Sequence, residues 1–379
     1  KDSEPRLNTS KWGTIVLDHE GSQETTLEDV YTGGDAARGG STAIRAAGDG
    51  QAAAREILGE APLDPAVVRD MVARARAYTD LGASAQRILD RAHLSDGIEE
   101  FTVHSPLIAA AAQAGQFVRL LPRPDGELIP LTLADWDPEA GTICLVVQGV
   151  GTSSIEINAM AVGDAFTGIA GPLGRASDIH AYGPDETVVF TAGGLGLPPV
   201  YPIMREHLRR GNHVTLISGF RSADLMFWTG PDERVGRLQA QYADQLEVII
   251  TTNDGSFGTP GFVTGPLETM LEANARGQGR TVAEVVTIGP PLMMRAVSDL
   301  SRRFGTPCVA SLNSIMVDAT GMCGACMVPV IIDGKLIRKH ACIDGPEIDS
   351  HIIDWDKFLP RFGQFRSQEQ ASRAAHGLG

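Results

Sequence analysis

One short stretch near the C-terminal end of the sequence places the strongest constraint on the fold. It reads Asp318-Ala-Thr-Gly-Met-Cys323-Gly-Ala-Cys326, and Cys342 follows after fifteen further residues. Three of the five cysteines of the chain lie in this stretch. A chain with this pattern has to return Cys342 to the loop that carries Cys323 and Cys326 if the three thiols are to act on one bound group.

Two kinds of metal site and one plain alternative fit this spacing. Plant-type [2Fe–2S] ferredoxins use Cys-x4-Cys-x2-Cys and a distant fourth Cys, and here Asp318 stands in the first position. The small residues between the ligands suit a backbone that wraps closely around inorganic sulfide. Zinc also binds Cys-x2-Cys pairs, with His340 as the nearest further ligand, and buried cysteines without metal are the third alternative. The pattern favours [2Fe–2S], with the ligands Asp318, Cys323, Cys326 and Cys342.

Composition argues against several classes of protein. The chain has 379 residues, which is enough for two or three domains, and 43% of its residues are hydrophobic, which is enough for a core. Its net charge of −15 disfavours nucleic acid or an anionic membrane surface as the main partner. No run approaches the roughly 20 apolar residues of a membrane span, and no signal peptide is recognised. The odd cysteine count, with three cysteines in one metal-like stretch, does not suit a disulfide scaffold, so we expect a reducing cytoplasm. Because the chain starts at Lys1, we expect its natural beginning to lie upstream.

The N-terminal segment has a pattern of strand, glycines and helix. A short strand is predicted over residues 13–18, and Gly33-Gly34-Asp35 precedes a helical pattern from about Ser41 to Leu58. Helix amides and a carboxylate at such a turn suit a phosphate or sugar hydroxyls. On its own, Gly-Gly-Asp indicates only a turn.

The run around Asp35 resembles the last segment of the FAD domain in the glutamate synthase small-subunit family and in the large subunit of NADH-dependent ferredoxin:NADP oxidoreductases. The resemblance implies that Asp35 holds the flavin ribityl chain and that Thr42 lies at a helix N-terminus facing the flavin. It covers only residues 1–62, and the nucleotide-binding glycine motif of that family is absent. We expect other redox subunits, or a missing N-terminal part of a fused polypeptide, to carry this second FAD and [4Fe–4S] clusters.

Residues 86–180 read as short strands separated by turns rich in proline, aspartate and glycine, which predicts a small antiparallel barrel. A helix that begins at Asp64-Pro65 is predicted to connect it to the N-terminal segment. Pro130-Leu131-Thr132 starts one strand. Gly151-Thr152-Ser153 links a strand to a short helix, where amides and hydroxyls suit a pyrophosphate. An ordinary polar loop is the alternative.

The region 181–310 alternates strands and helices, which predicts a parallel sheet with helices on both faces. The turn after its first strand contains Gly193, Gly194, Gly196 and Pro198, where a dinucleotide phosphate binds in such sheets. Arg221 and Asp224 follow the second strand, where the adenosine ribose is read. Arginine suits the 2′-phosphate of NADP(H), whereas aspartate repels it, so these two residues leave both NAD(H) and NADP(H) as candidate cofactors.

In this order, the segments from 86 to 366 resemble the ferredoxin–NADP reductase superfamily, in particular the dihydroorotate dehydrogenase electron-transfer subunits and the small subunit of NADH-dependent ferredoxin:NADP oxidoreductases. The resemblance implies that Pro130–Thr132 face the isoalloxazine and that the 151–153 loop holds the diphosphate. It also implies that Gly289-Pro290 borders the nicotinamide, that Asp318 ligates the cluster, and that NAD is favoured. Many members carry an arginine where this chain has Ile129, which gives Thr152 and Ser153 more weight.

The predicted fold class is α/β plus β. It comprises an antiparallel FAD-binding barrel, a parallel-sheet NAD-binding domain and a small [2Fe–2S] module, preceded by a partial FAD-domain tail. The predicted segments are the FAD-domain tail 1–62, a connector helix 63–85, the FAD barrel 86–180, the NAD(P) domain 181–310, the cluster module 311–350, and a C-terminal helix and tail 351–379 whose residues from Ser367 are expected to be frayed.

The predicted activity is that of an NAD(P)H-dependent flavin and iron–sulfur oxidoreductase. Electrons pass between NAD(H), FAD and the cluster, and the cofactors perform the chemistry, so no acid–base residue is assigned. The resemblance implies a flavin-based electron-bifurcating complex that links NAD(H), NADP(H) and ferredoxin, with sulfide or polysulfide reduction as a variant. The alternatives are an electron-relay subunit of a dihydroorotate dehydrogenase-like complex and a redox-sensing binding module. Asp318 is expected to tune the cluster potential rather than only cap its loop.

The isolated chain is expected to bind one FAD, because the N-terminal segment lacks the strand and glycine loop that supply most contacts of a second flavin site. Acid extraction of the purified chain, followed by quantification of flavin per polypeptide, measures this stoichiometry. Two tightly held flavins per chain would contradict the expectation.

Overall fold

The computed structural model describes residues 8–10, 14–18, 23–27, 30–32, 52–53, 56–57 and 86–375. The chain divides into two units, Lys1–Ala77 and Tyr78–Gly379. The division falls within the predicted connector 63–85, which lies outside the described residues, as do Asp35 and Thr42. The predicted domain boundaries therefore stay predictions.

The first unit contains isolated antiparallel bridges between its described extended residues. The bridged pairs are Thr9 with Ile15, Leu17 with Thr25, and Glu24 with Tyr31. The backbone N–H of Gln23 donates to the Glu56 carboxylate at 2.6 Å. Extended backbone at Ile15 and Leu17 agrees with the strand predicted over 13–18, and residues 52–53 and 56–57 are helical, as predicted.

The second unit begins with two antiparallel sheets around one apolar core. Its elements are β1 Ile88–Ser95, β2 Ile98–His104, α1 Pro106–Ala111, β3 Phe117–Leu121, β4 Ile129–Thr132, β5 Asp135–Asp137, β6 Thr142–Gln148, α2 Thr152–Asn158 and β7 Gly168–Leu173. The sheet orders are β1-β2-β6-β5 and β4-β3-β7. Alternate residues of β2, β3 and β6 contribute to the shared core, and Phe101, Leu120 and Leu145 are fully buried there. This arrangement agrees with the antiparallel strands predicted for 86–180.

A seven-stranded sheet with flanking helices follows. Its successive elements are β8 Glu186–Gly193, α3 Leu197–Arg209, β9 His213–Phe220, α4 Arg234–Gln241, β10 Leu246–Thr252, β11 Thr259–Pro260, α5 Thr264–Ala275, β12 Thr281–Ile288, α6 Pro291–Arg303 and β13 Cys308–Ser311. The strand order is β11-β10-β9-β8-β12-β13, with a further strand, β16 Glu347–Asp349, at the outer edge of β13. From β8 the chain proceeds outward through β9, β10 and β11 on one side of the sheet. From β12, the other neighbour of β8, it proceeds outward to β13 on the opposite side, so the strand order reverses between β8 and β12. The crevice at the carboxyl ends of these two strands is the expected ligand position.

The segment after β13 returns to the same sheet. A hairpin of β14 Met327–Ile332 and β15 Lys335–His340 is followed by β16 Glu347–Asp349, which pairs with β13 in the antiparallel direction. The strands of 181–310 pair in parallel, as predicted, and β16, which comes from the predicted cluster module, adds an antiparallel edge. The physical reason is that the chain leaves β13 through the cysteine loop and comes back from the hairpin in the opposite direction.

The C-terminal residues are more ordered than predicted. After α7 Trp355–Phe358 and a 3-10 turn over Leu359–Gly363, helix α8 covers Arg366–Ala375. The fraying expected from Ser367 is contradicted as far as Ala375, because good helix formers such as alanine, glutamine and arginine fill this segment and its Ser372 hydroxyl lies 3.0 Å from that of Thr152. Within the described residues, no helix has the length and apolarity that a membrane crossing needs.

A largely buried group of charges joins the antiparallel sheets to the nucleotide fold. Arg234 of α4 pairs with Glu100 of β2 and donates to Asp135 of β5 at 2.7 Å. Arg205 donates to the same Asp135 at 2.6 Å, and the Trp228 indole N–H donates to Glu100 at 2.7 Å. Each charge has a partner of opposite sign, as partly buried ions require.

Replacing Arg234 by methionine should lower the free energy of unfolding by about 3–5 kcal/mol, because it leaves Glu100 and Asp135 buried without this partner. Urea unfolding followed by tryptophan fluorescence measures the change. The matched control is Arg276→Met, which removes an exposed pair with Glu272 and should change stability by less than about 0.5 kcal/mol. Equal effects of the two substitutions would contradict a structural role for the buried group.

Candidate functional site

The cluster loop, residues 312–326 between β13 and β14, is organised by Asp318. The backbone N–H groups of Thr320 and Cys323 each donate to its carboxylate at 2.8 Å. The Thr320 amide, followed by the bonds to Cys323, holds the pKa of Asp318 below its usual range. Asp318 thus caps the loop, which is the alternative that the sequence left open. Carboxylate oxygens retain lone pairs when they accept such bonds, so capping does not prevent ligation.

The cysteines of this region lie in two settings. The Sγ atoms of Cys326 and Cys342 lie 3.0 Å apart, and both residues are buried, whereas Cys323 is exposed. Burial, reinforced by the neighbouring Cys326 thiol, raises the pKa of the Cys342 thiol above its usual range. A bound metal reverses this preference, because its positive charge deprotonates coordinating thiols.

The donor set fits a two-iron cluster. Each iron of a [2Fe–2S] core takes two protein ligands, and the structure offers two local pairs, Asp318 with Cys323 and Cys326 with Cys342. In the part of the chain that the structure describes, no three His, Cys, Asp or Glu side chains converge on a single ion. Gly321 has a positive φ of 82°, and a Cβ there would lie 2.6 Å from the Ile343 side chain, so this position of the loop requires glycine.

The other two cysteines lie elsewhere. Cys144 is on β6, where the Arg234 guanidinium approaches its sulfur at 3.4 Å, and Cys308 starts β13. Burial raises the pKa of both thiols, that of Cys308 to about 11. Neither residue is in the cluster loop, so both can serve as controls for the proposed ligands.

Strand β4 divides the predicted flavin residues between two faces. Across the ladder, Pro130 lies opposite Arg119 and Thr132 opposite Phe117, while Leu131 lies opposite Val118. Leu131 packs on the core of the antiparallel sheets, whereas Phe117 belongs to the core that contains Cys326 and Cys342. Pro130 and Thr132 therefore share the face that is directed toward the cluster loop.

The predicted diphosphate loop is already rich in internal hydrogen bonds. The Ser154 hydroxyl accepts from the amides of Val150 and Gly151 at 3.0 and 2.9 Å. The Ser153 hydroxyl donates to the Glu127 carboxylate at 3.2 Å. The Thr152 hydroxyl meets α8, as described above. Ser154 was not among the predicted residues, although its place three residues after the N-cap Gly151 is the usual position for such a bond.

The predicted nucleotide loops meet at the crevice between β8 and β12. A Cβ on Gly196 would lie 2.1 Å from the Ile288 carbonyl oxygen, and one on Gly193 would lie 2.6 Å from Met293 Sδ. Gly194 has a positive φ of 51°. The glycines therefore allow the turn of 193–196 to touch the turn at Gly289-Pro290, and Pro198 lies in the first turn of α3. The structure brings these two predicted segments together.

The loop after β9 is tied to the loop after β10. The Ala223 amide donates to the Ser256 hydroxyl at 2.8 Å, and that hydroxyl donates to Asp254 at 2.6 Å. The Ser256 hydroxyl holds the pKa of Asp254 below its usual range. Arg221 is exposed and Asp224 lies in the short turn Ala223–Leu225, so both predicted ribose-reading side chains flank this bond.

A polar cavity of about 190 Å³ lies between α3 and strands β12, β13 and β16. Its lining includes His207, Glu284 and Glu347, with Ser177 donating to Glu347 at 2.8 Å and Tyr182 to Glu284 at 3.1 Å. Burial raises the pKa of Glu347 to about 7 and lowers that of His207 to about 4. No local pattern predicts this cavity, because its carboxylates come from strands far apart in the sequence.

Comparison with known proteins identifies the domain around the cluster loop. The iron–sulfur cluster binding domain of dihydroorotate dehydrogenase B matches residues 313–354. This range contains all four predicted ligands and the hairpin β14–β15 between them.

Relatives extend the similarity over most of the second unit. A dihydroorotate dehydrogenase B (NAD(+)) electron transfer subunit homolog from Thermotoga maritima is 35% identical over 291 residues, which are 77% of this chain and 95% of that protein. The electron transfer subunit from Listeria innocua is 27% identical over 262 residues, which are 69% of this chain and 94% of that protein. A solved structure of the NADH-dependent reduced ferredoxin-NADP oxidoreductase, concerned with flavin-based electron bifurcation, has 34% identity and a TM-score of 0.68, covering 78% of this chain and 99% of that chain.

Either of the substitutions Cys326→Ser and Cys342→Ser should abolish the cluster, because each iron depends on its pair of protein ligands. We expect iron and sulfide to fall from about two of each per chain to near zero. Cys144→Ser and Cys308→Ser are the matched controls and should retain both. Loss of the cluster in Cys144→Ser would contradict the ligand assignment.

Proposed function

Because this chain belongs to the family of dihydroorotate dehydrogenase B electron-transfer subunits and their homologues, we propose that it is a flavin and iron–sulfur oxidoreductase that uses NAD(H). One buried core carries this proposal. It contains Phe117 from β3, Met294 from α6, and Cys326 and Cys342. The sheet that holds β4, the helix that follows Gly289-Pro290 and the cluster ligands thus pack against one another, which keeps the proposed sites close.

When bound, FAD exchanges a hydride with the nicotinamide and passes single electrons to the [2Fe–2S] cluster. In the proposal, Pro130 and Thr132 orient the flavin ring, and Leu131 contributes through its backbone in the FAD-binding barrel. The loop Gly151-Thr152-Ser153 binds the diphosphate through hydroxyls and amides, which requires some of its present hydrogen bonds to be exchanged for bonds to phosphate.

NAD(H) is proposed to lie at the crevice between β8 and β12. The residues that hold its pyrophosphate are Gly193, Gly194, Gly196 and Pro198. Gly289 and Pro290 border the nicotinamide, and Arg221 and Asp224 read the ribose. The cluster is proposed to be held by Asp318, Cys323, Cys326 and Cys342. The three cysteines must stay free of disulfides to bind iron, which suits a reducing cytoplasm.

A second candidate is a relay subunit that serves the substrate site of another chain. It is favoured by the relatives, which are named as electron transfer subunits. The partners we propose are other redox subunits, including one that completes a second FAD site around Asp35 and Thr42, and ferredoxin. The solved relative favours an electron-bifurcating complex of this kind.

Anaerobic mixing of the FAD- and cluster-loaded chain with NADH tests the proposal. NADH should bleach the flavin absorbance, produce the electron paramagnetic resonance signal of a reduced cluster, and support turnover with an artificial acceptor. Absence of turnover in a chain that contains both FAD and iron would contradict an oxidoreductase and favour the redox-sensing module.

Gly196→Ala should slow flavin reduction by NADH at least tenfold, which is about 1.4 kcal/mol, because the new Cβ would push the turn of 193–196 away from Ile288. FAD and iron contents should stay unchanged. The matched control is Gly265→Ala in α5, where a Cβ meets no atom within 4 Å, and it should react at the normal rate. Equal rates in the two variants would contradict the proposed nicotinamide position.

A further inference from the structure

Arg119 connects the proposed flavin strand to the cluster loop. It lies on β3, where its Nη1 donates to the main-chain oxygen of Asp318 at 2.6 Å. In the ladder it lies opposite Pro130 of β4, and cross-strand partners share one face of a sheet. One side chain therefore reaches from the face that is proposed to carry the flavin to the proposed ligand Asp318.

Among the described residues, Arg119 has no carboxylate partner within ion-pair distance, and its Nε is buried without a hydrogen-bond partner. The side chain is half-buried. The nearby Asp318 carboxylate instead accepts from two backbone amides. A partly buried cation without a counter-charge is unfavourable unless an anionic group lies beside it.

We propose that Arg119 raises the reduction potentials of both the cluster and the flavin. This inference rests on the proposed function. Three thiolates and one carboxylate make a [2Fe–2S] site net negative, and each added electron makes it more so. A fixed positive charge beside the site favours the reduced form through Coulomb attraction, which is strong where water is partly excluded. The same charge lies on the flavin face, where reduction also adds electrons.

Arg361 provides an internal control for the structural part of this role. Its Nη2 donates to the main-chain oxygen of Ala325, between Cys323 and Cys326, at 3.1 Å. Both arginines thus hold a carbonyl of the cluster loop. Arg361 comes from the C-terminal turn Leu359–Gly363 and is not part of the β4-β3-β7 sheet. Of these two arginines, Arg119 alone combines the loop contact with a place beside β4.

The test compares Arg119→Gln, Arg119→Lys and Arg361→Gln in the full chain loaded with FAD and cluster. Iron, sulfide and flavin contents are measured first. The cluster potential is then titrated by electron paramagnetic resonance and the flavin potential by absorbance. In Arg119→Gln the equilibrium constant for one-electron reduction of the cluster should fall at least tenfold, a shift of about 59 mV to lower potential, and the flavin potential should fall too. Arg119→Lys should retain both potentials, and Arg361→Gln should leave the flavin potential unchanged.

Unchanged potentials in a fully loaded Arg119→Gln variant would overturn the inference and leave the proposed function intact. Equal flavin shifts in Arg119→Gln and Arg361→Gln would also overturn it, because a general loosening of the loop would then suffice. If Arg119→Gln loses its cofactors, the lysine variant decides, since lowered potentials in a loaded Arg119→Lys contradict a role of charge and normal ones support it. A wild-type chain without iron or flavin would instead refute the proposed function.

Discussion

The burial of Cys326 and Cys342 in one core with Phe117 and Met294 is the contact on which the arrangement of the proposed sites depends. Close packing in such a core leaves little freedom for its members to move independently. Phe117 belongs to the sheet that presents Pro130 and Thr132, and Met294 belongs to the helix that starts after the Gly289-Pro290 turn. A single core therefore sets the spacing among the proposed cluster ligands, the proposed flavin face and the crevice between β8 and β12.

The returning strand β16 completes this core. Its antiparallel pairing with β13 places Glu347, where the segment that carries Cys342 re-enters the sheet, opposite Ser311, where the cluster loop leaves β13. Both ends of the cluster segment are thus attached to the same sheet. The two proposed ligand pairs need not be held together by the loop alone. This explains how a loop with positive-φ glycines at Gly321 and Gly324 can present them in a defined arrangement.

A second set of contacts holds the antiparallel sheets against the nucleotide fold. Arg234 and Arg205 converge on Asp135, and Glu100 accepts from both Arg234 and Trp228. These partly buried ions are satisfied only when the two parts of the unit are in register, because each ion has its partner on the other part. Electrostatic pairing of this kind specifies orientation more than it adds stability, and orientation decides how the proposed flavin and nicotinamide sites face each other.

The sequence by itself determined the features that lie within one loop or one strand. The Cys323–Cys326 spacing, the glycine turn of 193–196 after an apolar strand, and the short antiparallel strands of 86–180 depend on neighbouring residues and on backbone preferences, so a local pattern is sufficient. Only the tertiary structure decided which distant residues meet. The contacts of Arg119 with Asp318, of Gly196 with Ile288 and of Thr152 with Ser372, and the reversal of β16, arise from packing between segments far apart in the chain. Side-chain alternation in β4 separates Leu131 from Pro130 and Thr132, and this much follows from the sequence. Which core each face contacts is decided by the neighbouring segments, and therefore by the tertiary structure.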